Sequence, residues 1–166
     1  MKAVVFEGTI DGASVKALLA DIDKIDPLEN IVLYFTSGGG SLPDTETLTD
    51  YINRDPKRFE IGCFWSMSSS AFDLLLNVKC RILLGKTCYA QLHLYSNDLQ
   101  YCNLGDKQSF DLFTLNRLNA RNKVWLGQLR KAGLSTEELD FIRKGGSVIL
   151  DATRMAHVLR TIGGRK

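Results

Sequence analysis

The residues with the clearest chemical potential form a serine cluster, Ser66 and residues 68–70, between an apolar run and a helical pattern. A hydroxyl at a helix N-terminus can cap the helix, and the unpaired N–H groups there can stabilise a developing oxyanion. His93 follows Ser68 by 25 positions, and three glycines at 38–40 precede the cluster at the end of another apolar run. The cluster is therefore a candidate site as well as a candidate helix cap.

Alternating strand and helix patterns must position these residues. Apolar runs predict strands at 3–6, 31–35, 59–65, 80–84, 88–95 and 148–150. Amphipathic or capped stretches predict helices at 13–25, 43–53, 68–77, 107–131, 135–144 and 151–159, the last capped by Asp151. This order predicts an α/β fold with largely parallel pairing. The glycine turn, the serine cluster and His93 then fall at the carboxyl ends of strands, where such sheets form their sites.

Length and composition predict one cytoplasmic domain over residues 1–166. The formal net charge is only +2 and the basic residues are scattered, which argues against nucleic-acid binding. The apolar runs are too short for a membrane span, and the first residues lack the pattern of a signal peptide. Four cysteines and two histidines show no zinc-type spacing, so we expect buried, reduced cysteines, no metal and no cofactor.

Two motifs resemble those of the proteolytic subunit of the Clp protease, ClpP. Residues 35–41, Phe-Thr-Ser-Gly-Gly-Gly-Ser, are similar to the family's strand-end glycine motif. Residues 68–72, Ser-Ser-Ser-Ala-Phe, followed by leucines at 74–76, are similar to its nucleophile segment, Ser-Met-Gly-Ala-Phe-Leu-Leu. The distance from Ser68 to His93 agrees with the family's spacing. The helix after His93 and the segment at 150–156 also resemble later parts of the family.

The resemblance implies a ClpP/crotonase-like fold, a spiral of β-β-α units with a mostly parallel sheet. It implies that Ser68 is a nucleophile and His93 its general base. The backbone N–H groups of Gly39 and Ser69 would form the oxyanion hole. The substrate would be a peptide or protein, and a separate ATP-dependent unfoldase is a possible partner, since the chain has no Walker motif.

The resemblance also implies a homo-oligomer that assembles through the helix after His93. Large apolar groups with arginines among them are common at protein interfaces. The predicted helix carries such groups at Phe110, Phe113, Trp125 and Leu129.

Two points leave the chemistry open. Ser66 is an alternative nucleophile, because Ser66-Met67 counted from Gly62 also fits the family pattern Gly-x-x-x-Ser-Met; we prefer Ser68 because of the histidine spacing and the Ala-Phe that follows. The family's catalytic aspartate is expected between residues 143 and 147, where this chain has Lys-Gly-Gly. The carboxylates that could replace it are Asp73, Asp98, Asp140 and Asp151.

Three functions remain at this point. The first, slightly favoured because both Ser68 and His93 are present, is a ClpP-like serine endopeptidase. The second is a catalytically degenerate relative that acts as an assembly or regulatory protein. The third is a crotonase-type acyl-CoA enzyme, since that superfamily shares the fold and a glycine-based oxyanion hole.

Overall fold

A computed structural model describes residues 1–95 and 107–163, and of residues 107–118 only the backbone. The chain divides into two compact units, Met1–Leu92 with Ile149–Lys166, and His93–Val148. The predicted single domain over 1–166 stays a prediction.

The first unit is built on a four-stranded parallel sheet. Its strands lie side by side in chain order: β1 (Lys2–Glu7), β2 (Ile31–Thr36), β3 (Phe59–Cys63) and β4 (Arg81–Leu84). Apolar runs such as Ile-Val-Leu-Tyr-Phe suit strands that are buried in a parallel sheet. The predicted α/β class is therefore confirmed.

Three helices connect these strands: α1 (Gly12–Ile22), α2 (Leu42–Arg54) and α3 (Ser70–Asn77). Asp11 and Ser14 form a capping box at the start of α1, and the Ser41 hydroxyl accepts the N–H of Asp44 at the start of α2. Because the strands follow one another in order and parallel crossovers are right-handed, all three helices pack on the same face of the sheet.

The opposite face of the sheet has no crossover helix. Residues that are paired across neighbouring strands direct their side chains to the same face of the sheet. The uncovered face therefore carries Val5, its partner Tyr34 and Leu83, together with Phe64. Val5 is 69% exposed, Phe64 48% and Tyr34 40%, whereas residues one position away, such as Phe6 and Phe35, are buried and stack on each other. We call Val5, Tyr34, Phe64 and Leu83 the open face.

A second row of parallel contacts follows the carboxyl ends of the main strands. Ile10 pairs with Gly40, Ser37 with Met67, and Ser66 with Tyr89. The next strand, β5 (Tyr89–Leu92), pairs with β6 (Val148–Asp151) in a separate two-stranded sheet. The final helix, α6 (Ala152–Gly163), begins directly after β6, and Asp151 accepts the N–H of Arg154 as predicted for its cap.

The second unit contains α4 (Lys107–Lys131) and α5 (Thr136–Arg143). The bounds of α4 are those predicted. Ser135 and Glu138 form the predicted capping box of α5. Trp125 and Leu129 of this unit are buried, while the side chains of Phe110 and Phe113 lie outside the described residues.

In the part of the chain that the structure describes, no helix is both long enough and apolar enough to cross a bilayer.

Candidate functional site

The glycine turn after β2 is shaped by close backbone packing. Gly39 has φ +104° and Gly40 has φ +148°, a region that side-chain-bearing residues rarely adopt. A Cβ added to Gly39 would lie 2.6 Å from Cβ of Ser69 and 2.8 Å from the carbonyl oxygen of Ser68. The turn and the serine cluster, separate in sequence, are therefore in direct contact, as predicted from their common position at strand ends.

Ser68 lies between this turn and β5. Its N–H donates to the carbonyl of Ser37 at 3.0 Å, and its side chain is only 5% exposed. Its Oγ accepts the backbone N–H of Gln91 at 2.9 Å and pairs with Oγ of Ser66 at 2.9 Å. The hydroxyl thus takes the place of a backbone carbonyl in joining the cluster to β5. Since the Gln91 N–H can only donate, the Ser68 oxygen is an acceptor in that bond, while either hydroxyl can donate in the pair with Ser66.

The two predicted oxyanion donors both donate to acceptors within the chain. The N–H of Gly39 donates to Oγ of Ser37 at 2.9 Å, and the N–H of Ser69 donates to the carbonyl of Gln91 at 3.0 Å. An oxyanion hole needs N–H groups directed at the position where negative charge develops. In this arrangement the N–H groups of Gly39 and Ser69 are satisfied before any ligand arrives.

Ser69 has the strained backbone of the cluster. With φ 54° and ψ −131° it is the one non-glycine residue with positive φ among those described. It is the N-cap residue of α3, and its side chain makes no capping hydrogen bond, so the helix lacks the expected serine cap. α3 begins at Ser70, two residues later than predicted. Strain of this kind costs about 1–3 kcal/mol and is common at functional turns.

Ser70 is a further unusual member of the cluster. Its side chain is 2% exposed, and its Oγ is the one buried side-chain oxygen or nitrogen among the described residues with no hydrogen-bond partner. A buried hydroxyl without a partner loses its hydration and gains nothing in return. Sequence reasoning did not single out this residue, because serine is ordinary in the first turn of a helix.

His93 is the first residue of the second unit and is half-buried. Its Nδ1 lies 2.6 Å from the carbonyl oxygen of Leu94. Because a carbonyl can only accept, Nδ1 carries a proton, and in the neutral ring Nε2 is the atom able to accept one.

The segment after His93 is held to α4 by one side chain that sequence reasoning missed. Oδ1 of Asn122 accepts the N–H of Tyr95 at 2.9 Å, and its Nδ2 donates to the Tyr95 carbonyl at 3.1 Å. The guanidinium of Arg121 lies 5.0 Å from the centre of the Tyr95 ring. Asn122 gives no periodic signal in the sequence, because its role depends on a partner 27 positions away.

The four substitute carboxylates are in different situations. Asp140 pairs with Arg143 one turn away, Asp151 caps α6, and Asp98 lies outside the described residues. Asp73 is 7% exposed in α3, in the same unit as Ser68. At the position predicted for the family's aspartate, Gly145 has φ +87° and follows the end of α5.

Among the described residues, no three His, Cys, Asp or Glu side chains gather closely enough to hold a metal ion. Cys63, Cys80 and Cys88 are buried thiols, and burial raises the pKa of the Cys88 thiol to about 11. Cys88 is thus protonated at neutral pH.

Comparison with models of known protein families gave no match to this chain, and comparison with curated proteins gave none either.

Proposed function

We propose that this chain is a ClpP-like protein that keeps the architecture of the peptidase and acts as a non-catalytic assembly or regulatory protein. The observation that carries the proposal is the hydrogen bonding of the site. The Ser68 hydroxyl accepts the Gln91 N–H, and the N–H groups of Gly39 and Ser69 donate to Ser37 and Gln91. The Ser68 hydroxyl and the Ser69 N–H join the cluster to Gln91 of β5, and the Gly39 N–H bonds within the glycine turn to Ser37.

The ClpP-like spiral is supported by the second row of parallel contacts. Each successive repeat adds an extended segment after its main strand, and these segments pair in order through Ile10 and Gly40, Ser37 and Met67, and Ser66 and Tyr89. A main strand, a short extended segment and a helix repeated in this way form a β-β-α unit. The proposal includes a cytoplasmic location, with which the buried thiols are compatible.

An assembly role is supported by the open face. Parallel sheets are normally covered on both sides, because each face carries apolar side chains. Here Val5, Tyr34 and Phe64 are 69%, 40% and 48% exposed, and the Tyr34 and Phe64 rings are 5.8 Å apart. An exposed apolar face of a sheet suits contact with another copy of the chain.

Labelling with a fluorophosphonate probe tests the proposal. The wild type would be compared with Ser68→Ala, Ser66→Ala, Ser69→Ala and His93→Ala, and the modified residue identified by mass spectrometry. Ser135→Ala is the matched control, since Ser135 is an exposed N-cap serine outside the site. We expect the cluster serines to react no faster than Ser135, because none of them has an activated hydroxyl.

Rapid labelling of Ser68 that is lost in His93→Ala would contradict the proposal and establish an activated serine. That result would support the second candidate function, a ClpP-like serine endopeptidase that uses Ser68 and His93.

Two observations favour this second candidate. Ser69 holds a strained conformation next to Gly39, which a purely structural turn does not require. His93 has its Nδ1 proton on the Leu94 carbonyl, which leaves Nε2 as the ring atom able to accept a proton. In this function, release of the Gly39 and Ser69 N–H groups would precede catalysis, with a peptide or protein as substrate and an unfoldase as a separate partner.

A further inference from the structure

A groove of about 900 Å³ lies in the first unit between β4 and α6, away from the serine cluster. Its floor is apolar and includes Ile82 and Leu84 of β4 with Leu159 and Ile162 of α6. Ile82, Leu84 and Ile162 are partly exposed, so the groove has apolar surface available for a ligand. The residues that line it belong neither to the serine cluster nor to the open face.

One wall of the groove is the edge of the sheet. β4 pairs with β3 on one side and is the last strand in the four-stranded order. The N–H of Gly85 donates to the carbonyl of Cys63 at 2.7 Å. Alternate residues of a parallel strand bond to the same neighbour, so this bond shows which residues of β4 face β3. Residues 81 and 83 therefore direct their backbone groups at β3, and Ile82 and Leu84 direct theirs away from it.

These outward backbone groups need partners. In the part of the chain that the structure describes, no hydrogen bond joins the N–H or carbonyl of Ile82 or Leu84 to another element. An unpaired strand edge is a template for another strand, and proteins commonly recognise extended peptides by adding them to such an edge.

The rim of the groove is basic. Lys79 and Arg160 are exposed there, and Arg81 is paired with Glu60 at 2.9 Å. Among the described residues that line the groove, none is acidic. A ligand with carboxylates beside its apolar groups therefore matches the groove in charge, whereas a basic ligand does not.

We infer that this groove binds an extended peptide with apolar side chains at alternate positions and acidic side chains between them. The peptide pairs with the outward backbone groups of Ile82 and Leu84. Its apolar side chains contact Ile162 and the exposed parts of Ile82 and Leu84, and its carboxylates face Lys79 and Arg160. The inference is independent of whether the serine cluster is catalytic.

Fluorescence anisotropy with a labelled peptide, Val-Asp-Val-Glu-Val-Asp, tests the inference on the full chain. Two matched probes accompany it: Val-Lys-Val-Lys-Val-Lys, and the acidic peptide with N-methyl groups on alternate amides. We expect saturable binding of the acidic peptide, at least about tenfold tighter than the lysine peptide, since the lysine peptide replaces the attractive contacts with Lys79 and Arg160 by repulsive ones. N-methylation should abolish binding because it removes the strand hydrogen bonds.

Protein variants locate the binding site. Arg160→Glu should weaken binding of the acidic peptide by about tenfold, and added salt should reduce that difference. Ile82→Pro removes one outward N–H at a sheet edge, where proline is tolerated, and should weaken binding similarly. Lys16→Glu, the same charge change at an exposed position of α1, should leave binding unchanged.

Three results would overturn the inference. The first is absence of saturable binding. The second is equal binding of all three peptides, which would indicate an unspecific apolar patch. The third is self-association of the protein that is lost in Arg160→Glu, which would assign the groove to a second copy of the chain. The N-methylated peptide keeps the test valid if Ile82→Pro fails to fold.

Discussion

At the scale of single residues, adjacent serines in one cluster have opposite energetic roles. The Ser68 hydroxyl is buried and doubly hydrogen-bonded, whereas the Ser70 hydroxyl is equally buried and has no partner among the described residues. A satisfied hydroxyl stabilises the fold, and an unsatisfied one costs free energy. Two substitutions of the same kind should therefore change stability in opposite directions.

We expect Ser68→Ala to lower the free energy of unfolding by about 1–2 kcal/mol, because the Gln91 N–H loses its acceptor. Ser70→Ala should raise it by about 1 kcal/mol, because the orphaned oxygen is removed. Urea denaturation at constant m-value measures both. A loss of stability in Ser70→Ala would mean that its hydroxyl has a partner in solution.

At the scale of elements, the contact between the glycine turn and the start of α3 holds the site together. Gly39 has no room for a Cβ, whereas Gly38, one residue earlier, has no atom within 4 Å of such a Cβ. Ser69, whose backbone is strained, lies directly against Gly39, whose φ is also positive. The two positions should therefore be coupled in stability.

We expect Gly39→Ala to destabilise the protein by about 2–4 kcal/mol, since it combines a disfavoured φ with overlap against Ser69 and Ser68. Gly38→Ala is the matched control and should change stability by less than about 0.5 kcal/mol. In a double-mutant cycle, Ser69→Gly should recover part of the loss by removing the nearest Cβ. Strict additivity of Gly39→Ala and Ser69→Gly would show that the two residues do not contact each other in solution.

At the scale of the whole molecule, the strand order of the first unit determines which surface is left uncovered. Three right-handed crossovers place α1, α2 and α3 on one face, so the other face exposes Val5, Tyr34 and Phe64. This open face suits assembly. Trp125 and Leu129 of α4, which belong to the second unit, are buried, and assembly through this helix stays a prediction.

We expect the wild type to self-associate in light scattering coupled to size exclusion, and Val5→Lys to shift it to a smaller species. Val5 is 69% exposed, so lysine should be tolerated in the fold. Leu28→Lys is the control, because Leu28 is 92% exposed in the loop after α1 and should leave assembly unchanged. A monomeric wild type, or an equal effect of both variants, would contradict an assembly role for the open face.

The sequence by itself determined the α/β class, the order of the elements and the meeting of the glycine turn with the serine cluster. These follow from local rules: apolar runs form strands, Asp151 and Ser135 cap helices, and the carboxyl ends of parallel strands share one edge. The bounds of α4, predicted as about 107 to 131, agree with the structure, because Gly133 marks its end.

Only the tertiary structure decided what the serines do. The bond from Gln91 to Ser68 joins residues 23 positions apart, and Asn122 reaches Tyr95 across 27 positions, so neither leaves a periodic pattern. The strained turn at Ser69 and the hydrogen bond from its N–H to Gln91 depend on how the backbone of β5 packs beside the cluster. Residue types can nominate a nucleophile, but its hydrogen-bond partners, which set its reactivity, come from segments that fold against it from elsewhere in the chain.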